Sequence, residues 1–212
     1  MKVVAFNGSP NENGNTYAAI KMIAQELEKE NIEVVILHVG NHAVRGCIAC
    51  HQCIMNQNER CAINDDPVNE WIQEMKNADG IILGSPVHYS AIAGTMKSFL
   101  DRAFFVASVN SGMLRHKVGA SVVAVRRAGG LPAFNQLNNF INYSEMLMPT
   151  SNYWHVIYGT APGEAQLDEE GKQIMRVLGK NMAWLMKLID FGKDKVTAPP
   201  RENKLFTNFI RA

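Results

Sequence analysis

The chain alternates short apolar runs with longer amphipathic segments. The apolar runs have the length of buried strands and cover residues 2–6, 33–39, 80–84, 118–125 and 153–158. Between them, apolar residues recur every three or four positions, which predicts helices. The predicted helices cover residues 15–30, 94–106 and 130–146, a segment that begins near Val68, and a long segment after Asp168. Strands that alternate with helices indicate an α/β fold with a doubly wound parallel sheet, covered on both faces.

Two aspartate sites are predicted to start helices. Asp65 and Asp66 precede a proline, so an aspartate there can accept hydrogen bonds from free amides while the proline occupies the first turn. Asp168 stands in a similar position before the final helix. We prefer capping to metal binding for the Asp65–Asp66 pair. The neighbours Asp101 and Arg102 are predicted to form a structural ion pair.

Length and composition fit one large domain. Of the 212 residues, 47% are hydrophobic and 19% are charged, which is ordinary for a globular protein with a sizeable core. We expect a domain at residues 1–191, with a cysteine-rich loop at residues 41–66 inserted after the second strand, and a tail at residues 192–212. Apolar residues of the tail could form a short helical patch that docks at a subunit interface. They are Leu205, Phe206, Phe209 and Ile210.

The charge of the chain limits its partners. A formal net charge of +1 gives no electrostatic reason to expect nucleic acid or an anionic membrane. No apolar run approaches the about 18 residues that a membrane span requires. The N-terminus does not resemble a signal peptide, so we expect a soluble cytoplasmic protein.

The loop after the first strand has the composition of a phosphate site. Ligands of open α/β sheets bind at the carboxyl ends of the strands, and this loop leads into a helix N-terminus, whose free N–H groups attract anions. It lacks the P-loop lysine and the G-x-G-x-x-G pattern, which argues against ATP and a Rossmann dinucleotide. The alternative is a plain loop in which Asn15 or Thr16 caps the helix. The candidate binding residues are Ser9, Pro10, Asn11, Asn13, Gly14, Asn15 and Thr16.

Two further loops are expected at the same edge of the sheet. The loop at residues 85–90 offers backbone amides and two rings beside a planar ligand, and the loop at residues 126–130 combines cations with glycines that permit close approach. For each arginine, a solvated charged loop is the alternative. A lone loop histidine more often packs than donates a proton, so His88 receives no catalytic role. The candidate binding residues are Pro86, Val87, His88, Tyr89, Ser90, Arg126, Arg127, Gly129 and Gly130.

All the cysteines of the chain lie in one loop, with the spacing C-x2-C-x2-C-x7-C. Buried structural cysteines normally scatter, whereas C-x2-C-x2-C opens the ferredoxin motif that binds [4Fe–4S] clusters. We expect Cys47, Cys50, Cys53 and Cys61 to hold one such cluster. Zinc is an alternative, although zinc sites usually pair two more widely separated cysteine pairs. Disulfides would need an oxidising compartment, and four free thiols also remain open.

With these motifs, the chain resembles the NADPH-dependent FMN reductase superfamily, and most of all its iron–sulfur flavoprotein branch, over residues 1–190. The motifs are Gly8-Ser9-Pro10 with Gly14-Asn15-Thr16, the cysteine loop ending in Asp65-Asp66, Ser85-Pro86-Val87, Lys97-Ser98-Phe99-Leu100-Asp101-Arg102, and Gly129-Gly130. The resemblance implies a flavodoxin-like five-stranded parallel sheet of order 2-1-3-4-5. It also implies FMN, with the isoalloxazine against residues 86–90 and 126–130, a [4Fe–4S] cluster, and a homodimer or homotetramer. The implied phosphate ligands are Ser9, Asn13, Asn15 and Thr16.

We therefore expect an FMN-dependent oxidoreductase that reduces a small molecule such as a quinone, a nitro compound, free flavin or an oxygen species. A cluster would relay single electrons between FMN and a carrier such as ferredoxin. No side chain is assigned as acid, base or nucleophile, because the cofactor performs the chemistry.

Three other classes of protein remain open. One is a cluster-free reductase that takes hydride from NADH or NADPH as co-substrate. Another is a non-catalytic electron carrier of the flavodoxin type, against which the near-neutral charge argues, because such docking relies on charge complementarity. A metal-binding regulatory protein would need zinc in the cysteine loop and no phosphate ligand in the first loop.

Overall fold

The computed structural model describes residues 1–207 and 209. Its strands are β1 Lys2–Asn7, β2 Glu33–His38, β3 Gly80–His88, β4 Ala91–Ile92, β5 Val118–Val125 and β6 Val156–Tyr158. Its helices are α1 Asn15–Lys29, α2 Gln52–Asn56, α3 Val68–Asn77, α4 Gly94–Val109, α5 Gly130–Tyr143 and α6 Glu169–Gly192, with a 3-10 helix at Glu164–Leu167.

Five of the strands form a parallel sheet in the order β2-β1-β3-β5-β6. This arrangement confirms the flavodoxin-like fold class, with β4 as an addition that pairs antiparallel with the end of β3. The predicted third strand ends too early. Ser85 and Pro86 continue its pairing, opposite Val123 and Ala124 of β5, and β3 ends only at His88, so most of the predicted turn at residues 85–90 is strand.

Two hydrophobic layers cover the sheet. Val4 and Phe6 of β1 face a cluster built with α3, α4 and α5. Val3 and Ala5 face the opposite cluster, built with α1 and α6. Because both faces of the central strands are buried, these strands read as continuous apolar runs rather than as alternating patterns. The strand ends, where the predicted loops lie, are the part of the sheet left open to a ligand.

Aspartate side chains start two helices, as the sequence predicts. Asp168 accepts hydrogen bonds from the N–H groups of Gly171 at 2.9 Å and Tyr158 at 2.8 Å, so it also ties α6 to β6. Asp66 accepts a hydrogen bond from the N–H of Val68 at 3.2 Å. Asp66 therefore supports the start of α3 from one residue before the N-cap, which is Pro67.

The predicted ion pair between Asp101 and Arg102 is wrong. Lys97 donates to Asp101 at 2.6 Å on the exposed side of α4, whereas Arg102 is buried and pairs with Asp66. Neighbouring residues on a helix point in different directions, and residues four apart share a face. The helical geometry thus gives Asp101 and Arg102 different partners.

The described tail follows α6 without regular structure. Its residues Pro200 and Arg201 lie against the end of α4, where Arg115 donates to the Pro200 carbonyl at 3.4 Å and Arg201 donates to the Ser108 carbonyl at 3.3 Å. The predicted helical patch is wrong for Leu205, Phe206 and Phe209, which are exposed and not helical; Ile210 lies outside the described residues. Docking of the tail at a subunit interface stays a prediction. Among the described residues, no helix has the length and apolarity to cross a membrane.

Candidate functional site

Side chains hold the first loop, which follows β1, in a fixed shape. Asn7 accepts a hydrogen bond from the Ser9 N–H at 3.1 Å and donates one to the Glu12 carbonyl at 2.9 Å. The Ser9 hydroxyl accepts from the Asn11 N–H at 3.1 Å, and the His38 ring nitrogen Nε2 lies 2.7 Å from the Ser9 carbonyl oxygen. The loop is therefore a preformed backbone turn rather than a mobile connection.

The start of α1 presents free donors next to this loop. The first intrahelical bond joins the Ala18 N–H to the Gly14 carbonyl at 3.0 Å, so the N–H groups of Asn15, Thr16 and Tyr17 point out of the helix end. Such groups, together with the helix dipole, favour a phosphate. No side chain caps this helix, so the alternative of a cap by Asn15 or Thr16 is wrong.

The side chain of Asn15 instead joins α1 to the loop after β6. Its Nδ2 donates to the Ala161 carbonyl at 3.0 Å, and its Oδ1 accepts from the Ala165 N–H at 3.1 Å. Glu164 supports the same loop by accepting from the N–H groups of Thr160 and Ala161 at 2.6 and 3.0 Å. These hydrogen bonds lower the pKa of Glu164 below its ordinary value. The loop after β6 is thus a fourth part of the site, which the sequence did not reveal.

These loops enclose a cavity of about 210 Å³. The cavity is lined by predicted residues of three loops and by residues of the loop after β6. The predicted residues in the lining are Ser9, Pro10, Asn11, Gly14, Asn15, Thr16, Pro86, Val87, His88 and Arg126, and those not predicted are Ala124, Gly159, Thr160 and Pro162. Pockets that enclose a whole small ligand usually measure about 300–1,000 Å³. A cavity of this size therefore suits the phosphate and chain of a nucleotide, with a ring extending outward.

The remaining predicted residues lie outside that cavity. Asn13 is exposed on the loop, and the Tyr89 side chain is fully exposed. Tyr89 and Ser90 both adopt left-handed backbone angles, with φ of 49° and 61°. Gly129 has φ of 87°, and a Cβ there would lie 2.9 Å from the Ser90 hydroxyl. The loops at residues 85–90 and 126–130 are therefore in direct contact and form an open platform beside the cavity.

A second cavity of about 470 Å³ lies on the other side of the 126–130 loop. Arg127, Gly129 and Gly130 line this cavity instead of the first one. Aromatic side chains complete much of its wall, and Tyr153 and Trp154 pack edge to face with ring centres 4.5 Å apart. The 126–130 loop thus separates two cavities, with Arg126 on one side and Arg127 on the other.

The cysteine loop has two parts. Cys53, on the short helix α2, is 8% exposed and Cys61 is partly buried, whereas Cys47 and Cys50 are exposed. No disulfide joins any of the four. Burial raises the pKa of Cys53, and the nearby Cys61 and Cys50 raise it further. Among the described residues, no group of three or more histidine, cysteine or acidic side chains is arranged around a single metal ion.

A buried arginine organises the buried part of this loop. Arg102 Nε donates to the Cys61 sulfur at 3.3 Å, and its terminal nitrogens pair with the Asp66 carboxylate. Asn69 accepts from the Cys61 N–H at 2.7 Å and donates to the Cys61 carbonyl at 3.0 Å. Four soft sulfur donors, with a hydrogen bond to one of them, fit an iron–sulfur cluster in their chemistry. The sequence missed Arg102 because its partners lie 36 or more residues away.

The chain is similar to known proteins of one family. The family model described as NADPH-dependent FMN reductase matches residues 1–161. An iron-sulfur flavoprotein of Methanocaldococcus jannaschii is 34% identical over 197 residues, which cover 89% of this chain and 99% of that protein.

Two solved structures share the fold. RosB with bound 8-demethyl-8-formylriboflavin-5'-phosphate has a TM-score of 0.70 at 15% identity and covers all of this chain and 94% of its own. A flavodoxin from the domain Archaea has a TM-score of 0.56 at 17% identity, with coverage of 88% and 99%. At these identities the likeness concerns the fold alone. The family match and the flavodoxin-like fold together show that the chain belongs to the NADPH-dependent FMN reductase family.

Proposed function

We propose that the protein is an FMN-dependent oxidoreductase that binds FMN at the first cavity and passes electrons to a small-molecule acceptor. The observation that carries this proposal is the 210 Å³ cavity, which places a free helix N-terminus beside the carboxyl ends of β1, β3 and β5. In a doubly wound sheet, the reversal of strand order beside β1 is where a mononucleotide binds. The family match supports the same cofactor.

The phosphate would bind where the first loop meets the start of α1. The N–H groups at the start of α1 and the buried hydroxyl residues Ser9 and Thr16 line the cavity. The amide of Asn15 is engaged with the loop after β6, so Asn15 would contribute its backbone N–H and hold that loop. Asn13 is exposed on the same loop and stays a predicted phosphate ligand.

The platform at residues 86–90 and 126–130 would hold the isoalloxazine. Pro86 and Val87 lie at the end of β3, and Arg126 reaches the same cavity from the end of β5. A cation there favours negative charge on the bound cofactor. Bound FMN supplies transfer of one or two electrons, and the chain binds, orients and shields it.

We further propose that the cysteine loop holds a [4Fe–4S] cluster, which would supply single-electron transfer between FMN and a carrier such as ferredoxin. The support is the set of four soft sulfur donors at Cys47, Cys50, Cys53 and Cys61, and the similarity to the iron-sulfur flavoprotein of Methanocaldococcus jannaschii. Quinones, nitro compounds, free flavin and oxygen species are the proposed acceptors, and a homodimer or homotetramer is the proposed assembly.

A cluster-free reductase that takes hydride from NADH or NADPH is the second candidate. The name of the matched family favours it, as does the exposure of Cys47 and Cys50 to solvent. The two candidates differ in how electrons reach FMN, while the FMN site is the same in both.

Purification without oxygen tests both parts of the proposal. The expected result is one FMN per chain, identified by mass spectrometry after heat release, with about four irons per chain. Flavin without iron, even after reconstitution with iron and sulfide, would support the cluster-free reductase. A protein that takes up no FMN from solution would overturn the proposal as a whole. Oxidation of NADH or NADPH with quinone acceptors then separates a reductase from a non-catalytic carrier.

A further inference from the structure

We propose that Arg102 fixes the position of Cys61 and raises the reduction potential of the cluster in the cysteine loop, and that Asp66 opposes this effect. The inference rests on the proposed function, since it requires a cluster in that loop. Arg102 acts through the sulfur of Cys61, so it is a positioning residue rather than a catalytic one.

The side chain of Arg102 is completely buried, and its terminal nitrogens tie both ends of the cysteine run to α4. Nη1 donates to the Arg45 carbonyl at 3.2 Å, two residues before Cys47. Nη2 donates to the Ile63 carbonyl at 2.9 Å, two residues after Cys61. Both nitrogens also pair with the Asp66 carboxylate, which offsets the cost of burying the charge. A single guanidinium therefore closes the loop.

The remaining donor of Arg102 contacts a predicted cluster ligand directly. Nε lies 3.3 Å from the Cys61 sulfur, while Asn69 holds the N–H and the carbonyl of the same residue. The N–H···S hydrogen bond gives Arg102 an electronic effect on whatever Cys61 binds.

The sign of that effect follows from charge. Reduction of a cluster adds one negative charge, so a cationic donor to a ligating sulfur stabilises the reduced form and raises the potential. Asp66 binds the guanidinium through Nη1 and Nη2, so the guanidinium stands between its carboxylate and the sulfur. Its negative charge lowers the potential by a smaller amount. Arg102 and Asp66 therefore act in opposite directions, which a merely structural pair would not do.

The test compares four variants with the wild type, all purified without oxygen and reconstituted with iron and sulfide. Arg102→Gln removes the charge, Arg102→Lys keeps the charge without the planar fork, and Asp66→Asn removes the opposing carboxylate while keeping a good helix cap. The control is Arg115→Gln, because Arg115 is also paired with a carboxylate, that of Glu145, outside the cysteine loop. The measurements are iron and FMN per chain and the cluster potential, titrated by electron paramagnetic resonance.

We expect Arg102→Gln to have a more negative cluster potential and a lower iron content than the wild type. Asp66→Asn should have a more positive cluster potential. The cluster potential of Arg102→Lys should lie between those of Arg102→Gln and the wild type. FMN content should stay unchanged throughout, and Arg115→Gln should match the wild type. A wild type that takes up FMN but no iron overturns the cluster, and this inference with it. Two outcomes with an iron-bearing wild type would overturn the role of Arg102 alone. In one, the variants have the same cluster potential as the wild type. In the other, Arg102→Lys and Asp66→Asn shift the cluster potential in the same direction. If Arg102→Gln does not fold, the cluster potentials of Arg102→Lys and Asp66→Asn test the role of Arg102.

Discussion

Gly40 packs directly against the backbone of Ser9. A Cβ on Gly40 would lie 2.0 Å from the Ser9 carbonyl oxygen and 2.2 Å from its carbonyl carbon, distances that no pair of unbonded atoms adopts. His38 contacts the same carbonyl oxygen at 2.7 Å. His38 and Gly40, at the end of β2 and just after it, thus fix the first loop, although neither His38 nor Gly40 lines the cavity.

The first prediction follows from this contact. Gly40→Ala must push Ser9 out of place, so we expect FMN binding to weaken about tenfold or more, equivalent to roughly 1.4 kcal/mol. Titration with FMN followed by fluorescence quenching measures the change. Gly192→Ala is the matched control, since a Cβ there meets no atom within 4 Å. Unchanged FMN affinity in Gly40→Ala would show that the loop tolerates displacement.

Asn15→Asp should weaken the hold of α1 on the loop after β6 and, with it, FMN binding. The carboxylate cannot donate to the Ala161 carbonyl and adds negative charge beside a phosphate, so FMN affinity should fall about tenfold or more. Thermal stability should also fall, because the buried side chain loses its hydrogen bond to the loop after β6, although a negative charge is favourable in the first turn of a helix. Asn181→Asp makes the same change at an exposed site on α6 and should leave affinity alone. An equal loss of FMN affinity in Asn15→Asp and Asn181→Asp would contradict the placement of Asn15 at the FMN site.

Asp168→Ala should lower the free energy of unfolding without changing FMN binding. It removes the cap of α6 and the hydrogen bond to the Tyr158 N–H. Loss of such a cap costs about 1 kcal/mol, or up to roughly 2 kcal/mol. Urea unfolding measures the loss, with Asp190→Ala near the end of the same helix as the control. A loss of the same size in the control would mean that the capping bonds contribute nothing specific.

The buried His155 should make the free energy of unfolding depend on pH. Burial lowers the pKa of this histidine below its ordinary value of 6.5, although its hydrogen bond with the Ser121 carbonyl opposes the shift. The unfolded chain therefore binds a proton more readily than the folded one, and the stability that His155 contributes is complete above pH 6.5 and is lost as the pH falls below it.

Urea midpoints measured from about pH 5 to pH 8 test this expectation. The wild type should lose stability on the acidic side, and His155→Gln should lose much less over the same interval. His116→Gln, on the turn before β5, should keep the wild-type slope. A wild-type slope in His155→Gln would assign the pH dependence to other groups.

Local patterns were sufficient to predict the fold class. The five apolar runs correspond to the five parallel strands, and Asp168 starts its helix as expected, because both features depend on residues close in sequence. Boundaries were less accurate. The helix predicted to reach residue 146 ends at Tyr143, and the strand predicted from residue 153 begins at Val156, since packing rather than propensity decides where an element ends.

The parts of the site that the sequence did not reveal depend on distant contacts. Arg102 has an adjacent aspartate, which suggested the wrong partner, and its true partner Asp66 lies 36 residues away. Gly159, Thr160 and Pro162 form an ordinary-looking loop whose role appears only when Asn15 is seen to hold it. The two arginines of the 126–130 loop look equivalent in the sequence, but they line different cavities.

The hydrogen bond between Asn15 and Ala165 spans 150 positions, and this span constrains the order of events during synthesis. The first loop and the start of α1 leave the ribosome early, but the loop that closes the cavity over them is made only after β6. A nascent chain that stops before residue 160 would hold an open groove in place of the cavity. Cofactor capture would therefore be a late event, and a truncated or stalled chain would remain without a tightly held flavin.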